Sequence, residues 1–151
     1  KKLDLTVLYI DLDNFKYYND TFGHDVGDLV LKEIAKILKQ QSQEGGFAVR
    51  FGGDEFLIIL NHADGEKAMK KAREVLSAIL DRNAFIGEIQ EFLGRDDIVI
   101  PKEKQVSCSI GVAPAANIKG DEDIAKAIKR ADGALYKIKH STKCDCKLAE
   151  D

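Results

Sequence analysis

Asp54 and Glu55 follow Gly52-Gly53 between the apolar runs 47–51 and 56–60, and Asp11 closes another apolar run, 5–10. Short apolar runs broken by Gly-Gly-Asp-Glu read as a β-hairpin, whose glycines permit positive φ and close approach of another group. Two acids at such a tip repel each other unless a cation compensates them. A hard ion such as Mg²⁺ does so through oxygen ligands and usually holds substrate phosphates as well. Taken by itself, the stretch reads first as a plain hairpin with a solvated acidic turn.

Periodicity identifies the elements that must position these groups. Residues 5–10 are apolar without a break, which suits a central strand buried on both faces, with Asp11 at its carboxyl end. A short helix is expected over about residues 12–20, closed by Gly23, and its start after Asp13 would offer backbone N–H groups to phosphate. Asp25 opens a second helix, in which Val26, Val30, Ile34, Ile37 and Leu38 recur at helical spacing. Asp28 falls in its first turn, where compensation of the helix dipole would account for an acid at up to ~1 kcal/mol. Asp64 caps a third helix with Ala68, Ala72, Val75, Leu76 and Ile79 on one face. Residues 83–104 are the least regular part, with one short amphipathic helix stopped by Gly94. Residues 105–113 alternate as a strand, and Asp121 opens a last helix carrying Ile124, Ile128, Ala131, Leu135 and Ile138. This order predicts an α+β class, a ferredoxin-like, antiparallel-containing sheet flanked by helices. In such a sheet the first strand and the hairpin are neighbours, so that Asp11 and the tip acids could share one or two Mg²⁺ ions.

Bulk properties narrow the partners. The 151 residues are expected to form a single domain, 1–151, with a real core. A net charge of −3 with no basic face argues against nucleic acid, which needs clustered Lys and Arg. No apolar run approaches the ~18 residues of a membrane span, so no membrane contact is expected from this segment. The three cysteines form no disulfide framework and point to a reducing compartment. Cys108 alternates with Val106 and Ile110 and is read as buried and apolar. Cys144-Asp145-Cys146 lacks a second pair of zinc ligands and is read as tail. The opening Lys1-Lys2-Leu3, without Met and close to a strand, suggests a domain excised from a longer protein with an upstream regulatory part.

Several ordered motifs carry a resemblance: Asp11-Leu12-Asp13-Asn14-Phe15-Lys16, Asn19-Asp20, Phe22-Gly23-His24, Gly27-Asp28, Gly52-Gly53-Asp54-Glu55-Phe56, Ser109-Ile110-Gly111-Val112-Ala113 and Ala131-Asp132 with Ala134-Leu135-Tyr136. Together, over about residues 5–143, they resemble the GGDEF diguanylate cyclase family. The resemblance implies a fold like the nucleotidyl cyclase catalytic domains. It also implies condensation of two GTP into cyclic di-GMP with loss of two pyrophosphates, in a homodimer whose domains meet face to face. Two Mg²⁺ (or Mn²⁺) ions per half-site are implied, in a bacterial cytoplasm, free or as the cytoplasmic part of a membrane protein.

Carried over motif by motif, Asp11, the Leu12 carbonyl and Asp54 would ligate metal. Asp54 is also the candidate for taking the hydroxyl proton, and Glu55 would assist metal binding or shape the tip. Asn19 and Asp28 would read guanine, and His24 would line base or ribose. Phe15 and Lys16 would give backbone N–H groups to the β- and γ-phosphates, while Lys139 and Lys143 would neutralise the terminal phosphates. Each has a plainer reading: helix-end residue for Asn19, polar loop for His24, dipole compensation or solvated tail for the two lysines. The ring of Phe15 is read as core and Tyr17-Tyr18 as packing or partner surface.

The departures matter too. Gln43 and Gly46 stand where many family members carry the Arg and Asp of a product-inhibition site, so no inhibitory site is expected. Lys143 stands for a common Arg, and loses its bidentate fork. The lead-in helix before the first strand is missing, and residues 83–104 are longer than the usual connection there. A GTP- or cyclic-di-GMP-binding module without turnover, and a cyclase with relaxed base choice, are the alternatives. Asp28 argues against the latter.

Overall fold

The computed structural model describes residues 2–141 and 144–150. A five-stranded sheet in the order β2-β3-β1-β4-β5 carries helices on both faces. Its strands are β1 (Leu3–Asp13), β2 (Gly46–Arg50), β3 (Glu55–Leu60), β4 (Ser107–Ile118) and β5 (Cys146–Leu148). The helices are α1 (Phe15–Phe22), α2 (His24–Gln41), α3 (Gly65–Leu80), α4 (Ile86–Leu93) and α5 (Asp121–Lys139). All pairings are antiparallel except β4 with β5. The expected α+β sheet is therefore present, and β1 lies at its centre.

Alternation along β1 divides the core. Leu8, Ile10 and Leu12 pack with α1, α2 and α3, whereas Leu5, Val7 and Tyr9 pack with Ala127, Ala131 and Leu135 of α5. The period of two carries Asp11 and Asp13 onto the α5 side, and both lie within 4 Å of the ammonium of Lys139. At β4, Gly111 lies so close to α5 that a Cβ there would collide with the Ala131 carbonyl. Cys108 is fully buried, as its alternation implied.

Three departures from the sequence reading bear on the site and its support. The first helix begins at Phe15 rather than near Leu12, because β1 stays paired with β4 through Asp13. Helix α2 begins at His24 behind Gly23, and only Asp25 occupies its first turn. Asp28 sits beyond the reach of the dipole effect, which decays within that turn. The third difference is the Cys144–Cys146 stretch, expected as tail: Cys146 enters an edge strand, with the Ile110 N–H donating to the Asp145 carbonyl (2.8 Å) and the Ala149 N–H to the Val112 carbonyl (2.7 Å).

Residues 83–104 are packed into the core rather than looped away from it. Phe85 and Ile89 are fully buried, and Ile98 and Ile100 nearly so. Asn83, Ala84 and Phe85 all adopt left-handed φ, at 53°, 58° and 61°. Such a turn of non-glycine residues costs roughly 1–2 kcal/mol per residue. Its anchors are visible. The Tyr18 hydroxyl, wholly buried, donates to the Ala84 carbonyl (3.0 Å) and accepts from the Val106 N–H (3.1 Å). Arg82 joins Glu33 and Glu88 and lies over the Phe85 ring. Asn14 donates its side-chain amide to the carbonyls of Glu103 and Gln105. Segment 83–106 thus braces the β1–α1 turn and α1 from outside. Tyr18→Phe keeps the ring and strands both backbone partners, so a loss of about 1–3 kcal/mol is expected in urea unfolding; an unchanged midpoint would remove the brace.

Candidate active site

The acids come together through strand register. Asp11 faces Glu55 across the β1–β3 ladder, and the Leu12 N–H donates to the Asp54 carbonyl (3.2 Å), which extends the pairing into the turn. The turn is closed from its own side. Phe51 and Gly52 N–H groups donate to the Glu55 carbonyl. The Arg50 guanidinium donates to the carbonyls of Gly52 (3.3 Å) and Gly53 (2.7 Å). Neither Gly52 nor Gly53 has positive φ, contrary to the hairpin expectation. Gly52 is needed for close approach instead: a Cβ would strike Oε1 of Glu55.

The half-buried Glu55 is tied to the hydroxyl of Tyr9, which donates to its Oε2 (3.2 Å). Burial, then the Glu55 charge, pushes the Tyr9 hydroxyl up to about 12. The Tyr9 ring meets Phe51 edge-on at 5.6 Å. This arrangement suits Glu55 to shaping the tip.

On the side of α1 and α2, a cleft of about 350 Å³ is lined by Phe15, Lys16, Asn19, His24, Asp28 and Asp54, with Leu31, Arg50 and Gly53. Seven expected site residues lie in or beside the turn and cleft, together with Asp11 and the Leu12 carbonyl. Phe15 is nearly buried, as expected, so its backbone rather than its ring is available. The Lys16 side chain is turned out, paired with Asp20. Gly27 makes room for Asn19: a Cβ there would collide with Oδ1 of Asn19 and press on Phe15. Gln43 and Gly46 line an adjoining groove of about 800 Å³ between α2 and β2, which shares Asp28, Leu31 and Arg50 with the cleft.

Lys139 is not in the cleft. Its ammonium is ion-paired with Asp13, 3.4 Å from the Leu12 carbonyl and 3.7 Å from Asp11. Lys143 lies outside the described residues. Sequence reasoning assigned no role to Asp13 or Arg50. The period of two from Asp11 would have flagged Asp13, whereas nothing local marks Arg50.

The donors fit a hard divalent cation. Burial raises the Asp11 carboxyl from 3.8 to about 6; Lys139 pulls it down, and Asp54, Glu55 and Asp13 push it up. Such crowding of oxygen donors is what a cation relieves. Among the described residues no group of three His, Cys, Asp or Glu side chains forms a complete metal cage.

Comparison with known proteins agrees with this geometry. The family model for "Diguanylate cyclase, GGDEF domain" matches residues 1–144. Diguanylate cyclase A of Treponema denticola is 36% identical over 142 residues, 93% of this chain and 34% of the relative. Diguanylate cyclase DosC of Escherichia coli K12 is 34% identical over 134 residues, 87% of this chain and 25% of the relative. The chain thus spans about a third or less of these relatives. Among solved structures, the active GGEEF domain of a diguanylate cyclase from Vibrio cholerae superposes with a TM-score of 0.74 at 30% identity, covering 99% of this chain and 85% of that one. The GGDEF domain of DgcB from Caulobacter crescentus, solved with c-di-GMP, gives 0.75 at 23%, covering 99% and 80%, a likeness of fold.

The raised Asp11 carboxyl has a thermodynamic sign. Folding favours its protonated form, so its stabilising contribution is complete below pH ~4 and is lost as pH rises through about 6. Without divalent cation, Asp11→Asn is therefore expected to exceed the parent at pH 7.5 by about 1–3 kcal/mol and to lose that advantage by pH 4. Denaturant titration in chelator at both pH values measures it; equal stabilities at pH 7.5 would contradict the assignment.

Proposed function

The chain belongs to the diguanylate cyclase family of GGDEF domains, and on that premise we propose that it condenses two GTP molecules into cyclic di-GMP, releasing two pyrophosphates. The observation that carries the reading is the junction of Asp11, the Leu12 carbonyl and Asp54 beside a cleft lined by Asn19, His24 and Asp28. Cation-binding oxygens and a base-sized recess adjoin.

The residues divide the work as follows. Asp28 accepts from the N1–H and exocyclic amine of guanine, a pair of donors that adenine does not present in that arrangement. Asn19, seated against Gly27, completes the base contact, and His24 lines the base or ribose. The N-terminus of α1 has no side-chain cap, and its Phe15 and Lys16 amides serve the β- and γ-phosphates. Asp11, the Leu12 carbonyl and Asp54 hold Mg²⁺ or Mn²⁺, two ions per half-site. When bound, the metal neutralises phosphate charge and lowers the pKa of the attacking 3′-hydroxyl. Asp54 is placed to receive the hydroxyl proton, and Glu55, fastened to Tyr9, keeps the tip in shape. Lys139 and Lys143 balance the terminal phosphates.

One domain offers one nucleotide cleft of this kind, and each ribose hydroxyl must reach the α-phosphate of the other nucleotide. Turnover therefore takes a homodimer with the clefts facing. Three free thiols, Cys108, Cys144 and Cys146, suit a reducing cytoplasm. An upstream regulatory part would bring the domains together, and segment 83–104 would be an insert atypical of the family. Neither Gln43 nor Gly46 supplies a charge to clamp product, so accumulating cyclic di-GMP is not expected to inhibit through that groove.

Incubation with GTP and Mg²⁺, followed by chromatography, should yield cyclic di-GMP, and ATP should yield no cyclic dinucleotide. Asp54→Asn should lower turnover by roughly 10²-fold or more with an unchanged unfolding midpoint. Tight GTP binding with no product from the parent would instead make the domain a silent nucleotide-binding module. Asp28→Asn should cut the preference for GTP over ATP binding by roughly a hundredfold; undiminished discrimination would take Asp28 out of base recognition.

A further inference from the structure

Asp13 shares the sequence Asp11-Leu12-Asp13 and the strand face of Asp11, yet its surroundings are different. Its side chain is 3% exposed. Oδ2 accepts from the Ser109 hydroxyl (2.8 Å) and from the Cys144 N–H (3.0 Å). Oδ1 accepts from the Lys139 ammonium. Both oxygens are thus engaged by protein donors, and the carboxylate is fixed by two of them that do not involve Lys139. A buried charge so held needs its countercharge. The ammonium it fixes also lies 3.4 Å from the Leu12 carbonyl and 3.7 Å from Oδ2 of Asp11. Those are two of the three oxygen donors assigned above to the divalent cation.

We infer that Asp13 is a positioning residue that stations Lys139 as the resident counter-ion of the Asp11–Leu12 corner, so that the ammonium and a divalent cation exclude each other there. The inference rests on the proposed cation site and adds to it a competitor built into the chain. A compact, strongly hydrated point charge on a flexible stem suits such a post, because it can leave without rearranging the backbone. Entry of the cation then does two things together. It compensates the carboxylates, and it frees the ammonium of a helix that ends beside the phosphate site. The metal-free domain is spared an uncompensated Asp11, and Lys139 becomes available when cation and nucleotide arrive. Asp13 acts only through Lys139.

The release of the ammonium can be read without turnover. Metal-free protein is treated briefly with an amine-acetylating ester, with and without Mn²⁺ and with no nucleotide. Lys139 modification is quantified by peptide mass spectrometry against Lys16, whose side chain is 89% exposed. The expected result is slow modification of Lys139 in the metal-free parent and a several-fold rise with Mn²⁺. In Asp13→Asn, modification should already be fast and insensitive to Mn²⁺. Removing the competitor in Lys139→Met should tighten Mn²⁺ binding, followed by paramagnetic resonance of the free ion, by roughly tenfold. Bound Mn²⁺ that leaves Lys139 modification unchanged overturns the inference and leaves the cation site standing, as does an Asp13→Asn variant with parental protection. Absence of Mn²⁺ binding in a parent that also makes no cyclic di-GMP overturns the site itself. The parental Mn²⁺ response decides the matter should either variant prove unstable.

Discussion

Repulsion among carboxylates forced into one corner of the sheet is the constraint on which the rest of this molecule turns. Antiparallel pairing sets Asp11 opposite Glu55 and draws Asp54 against Leu12. That register is not set by the acids, which oppose it. It is set by Leu8, Ile10, Phe56 and Ile58, whose burial on one face leaves no freedom to slip. A slip of one residue would turn all of them to the wrong side. The hydrophobic core therefore holds the acids together against their own electrostatics. The cost appears as an Asp11 carboxyl raised to about 6, by burial first and then by Asp54, Glu55 and Asp13, even with Lys139 beside it. Crowded, buried oxygen donors of this kind fit the divalent cation of the proposed function.

Holding the corner still requires more than the two strands. Helix α1 presents the amides and Asn19, and at eight residues it is too short to be stable by itself. It is pinned by Tyr18, whose hydroxyl spans the Ala84 carbonyl and the Val106 N–H, and by Asn14 at the turn before it. The left-handed turn 83–85 costs free energy, and Phe85, Ile89, Ile98 and Ile100 offset that cost by burial. Strain is thus accepted in the outer segment, and the nucleotide side gains a rigid first helix. Segment 83–104 is in this respect part of the site's support, although none of its residues lines the cleft.

Much of this was legible from pattern. Continuous apolarity marked β1 as central, helical spacing marked the buried faces of α2, α3 and α5, and Gly94 marked the end of α4. Motif order then supplied the neighbourhood of Asp11 and Asp54. What escaped was set by geometry that no window of sequence contains. Strand β5 is three residues long, partly buried and exposed at Leu148, and exists only because β4 offers it an edge. The start of α1 moved because Leu12 and Asp13 suit either a strand end or a first turn, and pairing with β4 decided it. The Asp13–Lys139 pair spans 126 positions and is brought about by the packing of α5 on β1. Gly52 and Gly27 were chosen for clearance over a neighbouring side chain rather than for backbone conformation, which the letter G does not distinguish.

The case of Asp28 shows how a small boundary shift changes an argument about function. With α2 opening at Asp25, Asp28 would have lain in the first turn, and dipole compensation would have been reason enough for an acid there. With α2 opening at His24, Asp25 takes that place and Asp28 does not share it. Asp28 is exposed, lines the cleft beside Asn19, and follows directly on the glycine that makes room for Asn19. A helix gains nothing from a glycine in its interior and loses roughly 1 kcal/mol by it relative to alanine. Gly27 and Asp28 are thus adjacent positions at which helix stability alone gives no account of the residue; Asp28 lines the recess, and Gly27 makes room for Asn19, which lines it too. Under the proposed function both would serve a flat, donor-bearing ligand edge lying against α2, such as guanine presents.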